Sequence, residues 1–386
     1  MVQIKVVSTR QDVKKFANFP IKLYKDCPYY VPSIRDDERN TFNPKKNFNL
    51  QDSSCKGFLA YQDGKVVGRI LGIISIGDKP VDGKKFVRFS RFECIDDINV
   101  FKALLGAVEQ YGKENGASII HGPWGFTDQD REGLLTFGFD ERSTYATNYS
   151  YPYFYKNLET LGFEDESKWI ERSFTIPQIP YKRIVELSEK IKEKLEVVDI
   201  ADTLSLKQIL ANYGDKFFDL LNEAYGELDG YVPVEGDVRK NILKQFATIV
   251  NTKYISILVD KDDNVAAFGV VFPSICDALI KHRGKLFPTG FISVLSSIKK
   301  PKELEMAVIG VSKKYKNTGI NSVVMSRIMK NVIADGIQKI ESNPMLETNY
   351  SIQQQWKFAE NKIIKKRQTY KKEIGEFIPF VIPYAE

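Results

Sequence analysis

The chain repeats itself at long range, and this repeat limits the folds that it can adopt. Residues 30–32 (Tyr-Val-Pro) recur at 231–233, and residues 147–150 (Thr-Asn-Tyr-Ser) recur at 348–351. Both pairs are separated by the same offset of 201 residues (231 − 30 and 348 − 147). Two separated anchors with one offset indicate two copies of one domain, which can be compared residue by residue.

The two copies also share one order of predicted elements. Each copy has a strand, helices, three strands, a helix, a strand, a helix and a closing strand, with hairpin patterns at 57–74 and 254–272. This order predicts a mixed α/β (α+β) fold with two domains, each a mostly antiparallel twisted sheet with helices on both faces. We place the domains at 1–176 and 196–386, joined by a Lys- and Glu-rich linker helix at 177–195.

The composition is that of an ordinary folded protein, with 43% hydrophobic and 27% charged residues. No apolar run is as long as a membrane span, and the first residues lack a signal-peptide core. Four cysteines without CxxC spacing indicate reduced thiols, and two histidines without cysteine partners argue against a metal site. We therefore expect a cytoplasmic protein with no bound metal and no membrane partner.

The charge balance bears on the partners of the chain. The formal net charge is +6, and the 56 Lys and Arg residues are evenly mixed with 50 Asp and Glu residues. This charge alone fits a small anionic ligand as well as nucleic acid. The even mixing argues against a contiguous basic groove, so nucleic acid is not expected. An internal pair of domains can replace a dimer, and we expect a monomer.

The sharpest local signal is a strand–loop–helix junction in the second copy. A predicted strand ends at Val311, and a predicted helix at 320–334 follows Gly319. Such a junction exposes backbone N–H groups at the positive end of a helix, where anions bind. Lysines at 313, 314 and 316 add formal positive charge. In physical terms the junction is suited to hold a phosphate group.

This junction resembles the acyl-CoA loop of the Gcn5-related N-acetyltransferase (GNAT) superfamily, in which a strand ending in Val precedes Arg/Gln-x-x-Gly-x-Gly/Ala at a helix start. Lys316 replaces the Arg or Gln, and Asn317 and Asn321 stand where small residues are common. Asn349 also falls where the family often places an Asn before its last core helix. The resemblance implies a site for acetyl-CoA or another acyl-CoA formed by Val311, Lys316, Asn317, Thr318, Gly319, Ile320, Asn321 and Asn349.

The duplication assigns this loop to the second copy only. Glycines that end the equivalent helices lie 220 residues apart (336 − 116), and this offset maps Lys316–Asn321 onto Asp96–Phe101. The first copy has no glycine there and has two carboxylates, which would repel phosphate. Conversely, Trp356 stands 201 residues after Tyr155 (356 − 155), where the resemblance implies a tyrosine that protonates the leaving thiolate. We expect the first copy to shape the acceptor site.

The resemblance further implies direct attack of an amine on a thioester, with the carbonyl polarised by a backbone N–H of the strand before the loop. Glu305, with Glu303, shares the alternating face of Val311 because all three numbers are odd, and Glu305 is our candidate base. The alternative is an exposed strand start. Tyr350 or Tyr370 could replace the missing acid; otherwise solvent serves, or catalysis is lost.

Two further segments have open interpretations. The first copy carries about 19 extra residues (220 − 201) at 124–147, and Asp128 to Glu132 within them could line an acceptor pocket, bind a cation or form a solvated loop. The segment 362–372 (KIIKKRQTYKK) predicts a strand with one solvated face, and its lysines favour an edge strand over a contact with a nucleotide.

Together these observations predict an acyl-CoA-dependent N-acyltransferase that transfers an acyl group, with acetyl as the first expectation, to a small-molecule amine or a peptide. Two alternatives from other classes remain. A catalytically inactive GNAT-fold binding protein would be consistent with Trp356 and would bind without releasing thiol. An aminoacyl-tRNA-dependent transferase would show salt-sensitive RNA binding.

Overall fold

A computed structural model describes residues 1–75, 77–127, 130–228, 231–356, 359–375 and 382–383. The strands in these ranges are β1 (Gln3–Val6), β2 (Ser54–Gln62), β3 (Lys65–Ile74), β4 (Phe86–Cys94), β5 (Ile119–Gly122), β6 (Leu134–Phe137), β7 (Glu164–Phe174), β8 (Val198–Asp199), β9 (Ile255–Val259), β10 (Val265–Pro273), β11 (Glu303–Val311), β12 (Lys339–Glu341), β13 (Met345–Leu346), β14 (Asn361–Glu373) and β15 (Ile382–Pro383).

The helices in the same ranges are α1 (Arg10–Leu23), α2 (Arg35–Asn40), α3 (Ile98–Glu114), α4 (Tyr153–Thr160), α5 (Lys182–Leu195), α6 (Leu206–Tyr225), α7 (Gly236–Ile249), α8 (Cys276–His282), α9 (Gly290–Lys299), α10 (Asn321–Ala334) and α11 (Tyr350–Gln355). Among the described residues, no helix is both long and apolar enough to cross a bilayer.

All the strands belong to one mixed sheet. Its order is β15-β1-β2-β3-β4-β5-β14-β7-β12-β11-β10-β9-β8, with β13 beside β7 and β6 beside β14. The pairs β4–β5 and β11–β12 are parallel, and the neighbouring β2–β3, β3–β4, β9–β10 and β10–β11 pairs are antiparallel. The predicted mixed α/β fold is confirmed.

Helices cover both faces of this sheet because the strand side chains alternate in direction. On β2, Phe58 and Ala60 pack in the core with α3, whereas Leu59 and Tyr61 pack on the opposite face with Phe16 of α1. In the second half the two faces are covered by α6 with α7 and by α5 with α10. The duplication therefore preserves both layers.

The closing strands of the two halves are exchanged. The first-half strand β7 pairs with β12 and β13 of the second half, and the second-half strand β14 pairs with β5 and β6 of the first. The two closing strands also pair with each other, from Asn361 opposite Phe174 to Lys371 opposite Glu164. One sheet thus runs through both halves, and the domain boundaries at 176 and 196 stay a prediction.

The preference for an edge strand at 362–372 is wrong, because β14 lies in the interior of the sheet. The side chains of Lys365 and Arg367 are fully buried. Lys365 Nζ lies 3.0 Å from a carboxylate oxygen of Glu171 on β7 and 2.9 Å from one of Glu341 on β12, and Arg367 is bonded to Glu171 as well. Two buried cations and two buried carboxylates therefore neutralise each other where the two closing strands pair.

The second half also contains an inserted helical hairpin that the sequence interpretation missed. Residues 274–302 separate β10 from β11, whereas only residues 75–85 separate the equivalent β3 from β4. Helices α8 and α9 occupy the longer connection. Their inner face packs against Val31 and Ile34 of the first half.

Replacing Lys365 by Met should lower the free energy of unfolding by about 3–5 kcal/mol, because Glu171 would stay buried without this cation. The control is Lys366→Met on the same strand; Lys366 pairs with Glu347 at 3.7 Å and is half exposed, so its loss should cost about 0–1 kcal/mol. Urea denaturation of both variants measures the difference. Equal losses would contradict a stabilising role for the buried cluster.

Candidate active site

A gap opens in the sheet between two parallel strands of the second half. Strands β11 and β12 stay paired only from Glu303 opposite Lys339 to Glu305 opposite Glu341. Beyond this point the chain turns away from β11, and the backbone N–H of Ser342 donates to the carbonyl of Arg172 at 2.8 Å. The freed edge of β11 faces a large cavity lined by residues 305–309 and 342–346. A strand edge without a partner offers backbone groups to a ligand.

A β-bulge lies on β11 at this gap. Val308 is opposite Val270 and Met306 is opposite Val271, so Ala307 has no partner on β10. A bulge re-aims the backbone and reverses the alternation of the following side chains. The prediction that Glu305 shares a face with Val311 is therefore wrong: Val311 packs on the α10 side, and Glu305 faces the opposite side.

The carboxylate of Glu305 is buried beside this gap, with 7% of the residue exposed, so the alternative of an exposed strand start does not hold. It accepts hydrogen bonds from Ser274 Oγ at 2.6 Å and from the Tyr145 backbone N–H at 2.9 Å. The Sγ of Cys276 lies 3.1 Å away. Burial raises the pKa of Glu305 above its ordinary value of 4.5, and a raised pKa makes a carboxylate a better proton acceptor near neutral pH.

The cavity has a volume of about 880 Å³ and two chemically different walls. The apolar wall comes from the second half and includes Met306, Val308, Val324, Met325, Ile328, Met329, Val332 and Ile352. The charged wall comes from the first half and includes Asp37, Glu38, Arg69, Arg91, Glu93 and Arg131. Burial, with Glu38 and Asp36 nearby, raises the pKa of Asp37 to about 6. Glu305 lines the same cavity as the apolar and the charged residues.

The predicted phosphate loop lies at the start of α10, outside the cavity lining. Gly319 has a φ of +82°, a conformation that favours glycine. The N–H groups of Gly319 and Ile320 have no protein partner among the described contacts, and no side chain caps α10. Ile309 on β11 and Val324 on the first turn of α10 connect this loop to the cavity wall. The junction therefore presents open donors next to the gap.

The basic residues of this loop have different surroundings. Lys313 pairs with Glu227 at 3.5 Å, and Lys314 pairs with Asp260 at 3.0 Å. Within the described part of the chain Lys316 has no ion pair, and its side chain is exposed. Of the three predicted cations, Lys316 is the one that a phosphate could engage without displacing a carboxylate.

The equivalent place in the first half is closed. At the offset of 201, Arg69 on β3 stands for Val270, and Glu93 opposite it stands for Val308. Arg69 Nε lies 2.7 Å from Glu93, and Arg69 Nη1 lies 2.7 Å from Glu38, all buried. A buried ion cluster thus fills the position that is apolar in the second half. Alignment of the two copies at β3 and β10 could have found this signal.

The start of the first-half helix is closed as well. Asp97 caps α3, and its carboxylate accepts the Asn99 backbone N–H at 2.9 Å. The Trp124 N–H donates to the Phe89 carbonyl at 3.0 Å and joins β4 to the segment after β5. Within the described residues, this backbone hydrogen bond and the Asp97 cap therefore occupy places that are open in the second half, in line with the sequence comparison of Asp96–Phe101 with Lys316–Asn321.

The predicted acids do not reach the cavity. Tyr350 is 71% exposed, and Tyr370 is fully buried in the first-half core; neither lines the cavity. Trp356 does line it and packs on Phe174 at 4.9 Å between ring centroids. Asn349 lines it too, but its side chain caps α11 by accepting the Ile352 N–H at 3.3 Å.

The sequence interpretation missed Tyr225. Its hydroxyl lies 3.1 Å from the carbonyl oxygen and 3.3 Å from the amide nitrogen of Ile309, at the open edge of β11. The first-half insert lies partly outside the described residues, which omit 128 and 129. Of the segment from Asp128 to Glu132, residues 130–132 line the cavity, which is consistent with the acceptor-pocket interpretation. Trp124 and Phe126 of the same insert are buried and line the cavity too.

Comparison with known structures identifies the architecture. A tandem GNAT protein from the clavulanic acid biosynthesis pathway aligns over 98% of this chain and 100% of its own, with a TM-score of 0.55 and 10% identity. The chain has the tandem GNAT fold. The gap, the bulge and the helix start described above thus lie on a GNAT scaffold.

Sequence comparison gives distant relatives. Protein YghO of Escherichia coli K12 is 25% identical over 382 residues, covering 96% of this chain and 95% of its own. A bacterial ceramide synthase of Caulobacter vibrioides is 23% identical over 359 residues, covering 89% and 90%. No family model matches the chain.

A Gly319→Ala variant should bind acyl-CoA more weakly, because a Cβ there would meet Ile191 Cδ1 at 2.8 Å and the +82° φ would be strained, so the loop would shift. Gly336→Ala is the matched control: it has a φ of +66° at the other end of α10 and open space around the added Cβ. Both variants should lose about 1 kcal/mol of stability. Isothermal titration with acyl-CoA should show weakened binding in Gly319→Ala alone; equal affinities would contradict the role of the loop.

Proposed function

We propose that the chain is an acyl-CoA-dependent N-acyltransferase whose second half holds the acyl-CoA. The observation that carries the proposal is the open β11–β12 gap, which leads to the uncapped start of α10 while its first-half equivalent is closed by Arg69, Glu93 and Asp97. The same scaffold thus keeps one site open and fills the other.

The polar part of the acyl-CoA has complementary groups along the junction. The pantetheine amides would pair with the edge of β11 that has no neighbouring strand, where they would displace the Tyr225 hydroxyl from Ile309. The pyrophosphate would accept hydrogen bonds from the N–H groups of Gly319 and Ile320 at the positive end of α10, with Lys316 adding charge. Lys316 and Gly319 are exposed, so the pyrophosphate would lie at the protein surface.

The reaction centre lies at the bulge. A backbone N–H near Ala307 would polarise the thioester carbonyl, which is how a fixed donor stabilises developing negative charge. The amine nitrogen attacks the carbonyl carbon, the C–S bond breaks, and the CoA thiolate leaves. Glu305 takes the proton that the amine loses. A thiol with an ordinary pKa of about 8.5 leaves as the thiolate with little help from an acid. The reaction therefore does not require a tyrosine at the position of Trp356.

The cavity favours a long acyl group over acetyl. Its apolar wall extends from β11 along α10 to Val332, much further than two carbon atoms require. Each buried methylene contributes about 0.8 kcal/mol, so a long chain would add substantial affinity. The relative named a bacterial ceramide synthase points the same way, since ceramide is an amide of a fatty acid and a long-chain amino alcohol. We propose a lipidic amine as acceptor, with its polar end at the charged wall.

A second candidate function is binding of acyl-CoA without transfer. It is favoured by the absence of Tyr350 and Tyr370 from the cavity and by Trp356 at the family's tyrosine position. The two candidates differ in one measurable quantity, which is release of free thiol when a long-chain amine is supplied. Titration comes first: no heat with acetyl-CoA or with palmitoyl-CoA would remove both.

Substitution of Glu305 by Gln should lower kcat by about 10²- to 10⁴-fold, because the amine proton then lacks its acceptor. In the parent protein the rate should rise with pH as the Glu305 carboxyl loses its proton, at a pKa above 4.5. Glu303→Gln, on the same strand and paired with Arg142, should keep both the rate and this dependence. A Glu305→Gln enzyme with an unchanged pH profile would rule this base out.

Substitution of Met329 by Trp should weaken palmitoyl-CoA binding while sparing acetyl-CoA, because a larger side chain narrows the apolar wall. Ile333→Trp on the same helix is the control, since Ile333 does not line the cavity. Titration of both variants with both thioesters gives the comparison. If Met329→Trp bound both thioesters as the parent does, the acyl chain would not lie along α10.

A further inference from the structure

The inserted hairpin α8–α9 has an outer face that the proposed reaction does not use. Phe287 is 72% exposed, Ile292 is 57% exposed, Leu295 is 47% exposed and Phe291 is 39% exposed. The rings of Phe287 and Phe291 lie 5.6 Å apart. Positions 291, 292 and 295 share one side of α9, since residues three and four apart are neighbours on a helix. These four residues form an exposed apolar patch.

The hairpin that carries the patch is rich in positive charge without ion-pair partners among the described residues. Residues 278–302 contain six Lys and Arg residues and no Asp or Glu. The whole chain has 56 basic and 50 acidic residues, so all of its net charge of +6 resides in this segment. The six are exposed and form no ion pair within the described part of the chain: Lys281, Arg283, Lys285, Lys299, Lys300 and Lys302. Such a concentration of cations selects an anionic partner.

The inner face of the same hairpin supports the cavity. Val294 and Ile298 pack with Ile275, Ile34 and Tyr145, and the last three line the cavity. Arg35 is tied to the hairpin, since its backbone N–H donates to the carbonyl of Gly284 at 2.9 Å. The hairpin therefore carries the apolar patch on its outer face and packs against cavity-lining residues with its inner face.

We propose that the α8–α9 hairpin docks this protein onto an anionic lipid bilayer surface. Aromatic and aliphatic side chains on one face of a short helix, with lysines around them, are typical of helices that lie in the interface of a membrane. The aromatic residues and Ile292 would enter the headgroup region, and the six cations would contact anionic headgroups. The expectation of no membrane partner came from the lack of a spanning segment, which an interfacial helix does not need.

The test is sedimentation of the full chain with lipid vesicles in the absence of acyl-CoA, so that its result is separate from that of the proposed function. Vesicles of phosphatidylcholine with phosphatidylglycerol should bind the protein, vesicles of phosphatidylcholine alone should bind it weakly, and added salt should reduce binding. Phe291→Ser with Ile292→Ser should remove binding. Both residues are exposed, so circular dichroism should show an unchanged fold.

A second pair of variants isolates the charge. Lys299→Glu with Lys300→Glu should lower partitioning onto the anionic vesicles at least about twentyfold, since each lysine near such a surface contributes roughly fivefold. Lys190→Glu with Lys194→Glu on α5 makes the same change in net charge elsewhere and should retain binding. Equal losses in both pairs, or no vesicle binding by the parent, would overturn the proposal. A dimer in light scattering that Phe291→Ser with Ile292→Ser abolishes would also overturn it, because a second copy would then cover the patch.

Discussion

The structure depends on the pairing of β7 with β14 at the centre of the sheet. These strands belong to different halves, and each extends the sheet of the other. Their pairing buries Lys365 and Arg367 against Glu171 and Glu341. Because uncompensated buried charge is costly, the cluster fixes one register between the strands. With the two sheets joined in this way, one cavity can have an apolar wall from one half and a charged wall from the other.

Within this frame, the two halves show how a duplicated site can diverge. In both halves the strand register shifts at the same place, between Arg69 and Leu71 on β3 and between Val270 and Val271 on β10. Both copies thus retain the irregular strand register at this place. What differs is the filling: Arg69 with Glu93 in one copy, Val270 with Val308 in the other. Side chains, not topology, distinguish the two copies at this place.

Local patterns in the sequence predicted much of this molecule. The strand ending at Val311, the glycine turn and the helix that follows were placed correctly, because period, turn residues and helix start are encoded within a few residues. The repeat gave the contrast between Lys316–Asn321 and Asp96–Phe101, because the two copies can be compared position by position. The charged filling of the first-half site could also be predicted from the repeat, by comparing Arg69 with Val270 at the same offset of 201.

The remaining features depend on residues far apart in the chain. Arg367 lies 196 residues from Glu171 in the sequence. Because local sequence does not reveal such a distant carboxylate, the lysines at 362–372 favoured an edge strand. The bulge at Ala307 is defined by the register with β10, which reversed the face assigned to Glu305. Tyr350 and Tyr370 were chosen by residue type alone, and their positions follow from packing.

The central claim is that only the second half receives the acyl-CoA. Hydrogen exchange of the full chain, with and without palmitoyl-CoA, tests it directly because it reports on the backbone of both copies in one experiment. We expect slowed exchange at 306–311 and 319–324 and no change at 90–94 and 97–101. Slowed exchange at the first-half segments, or a bound ligand that leaves 306–324 unchanged, would contradict it.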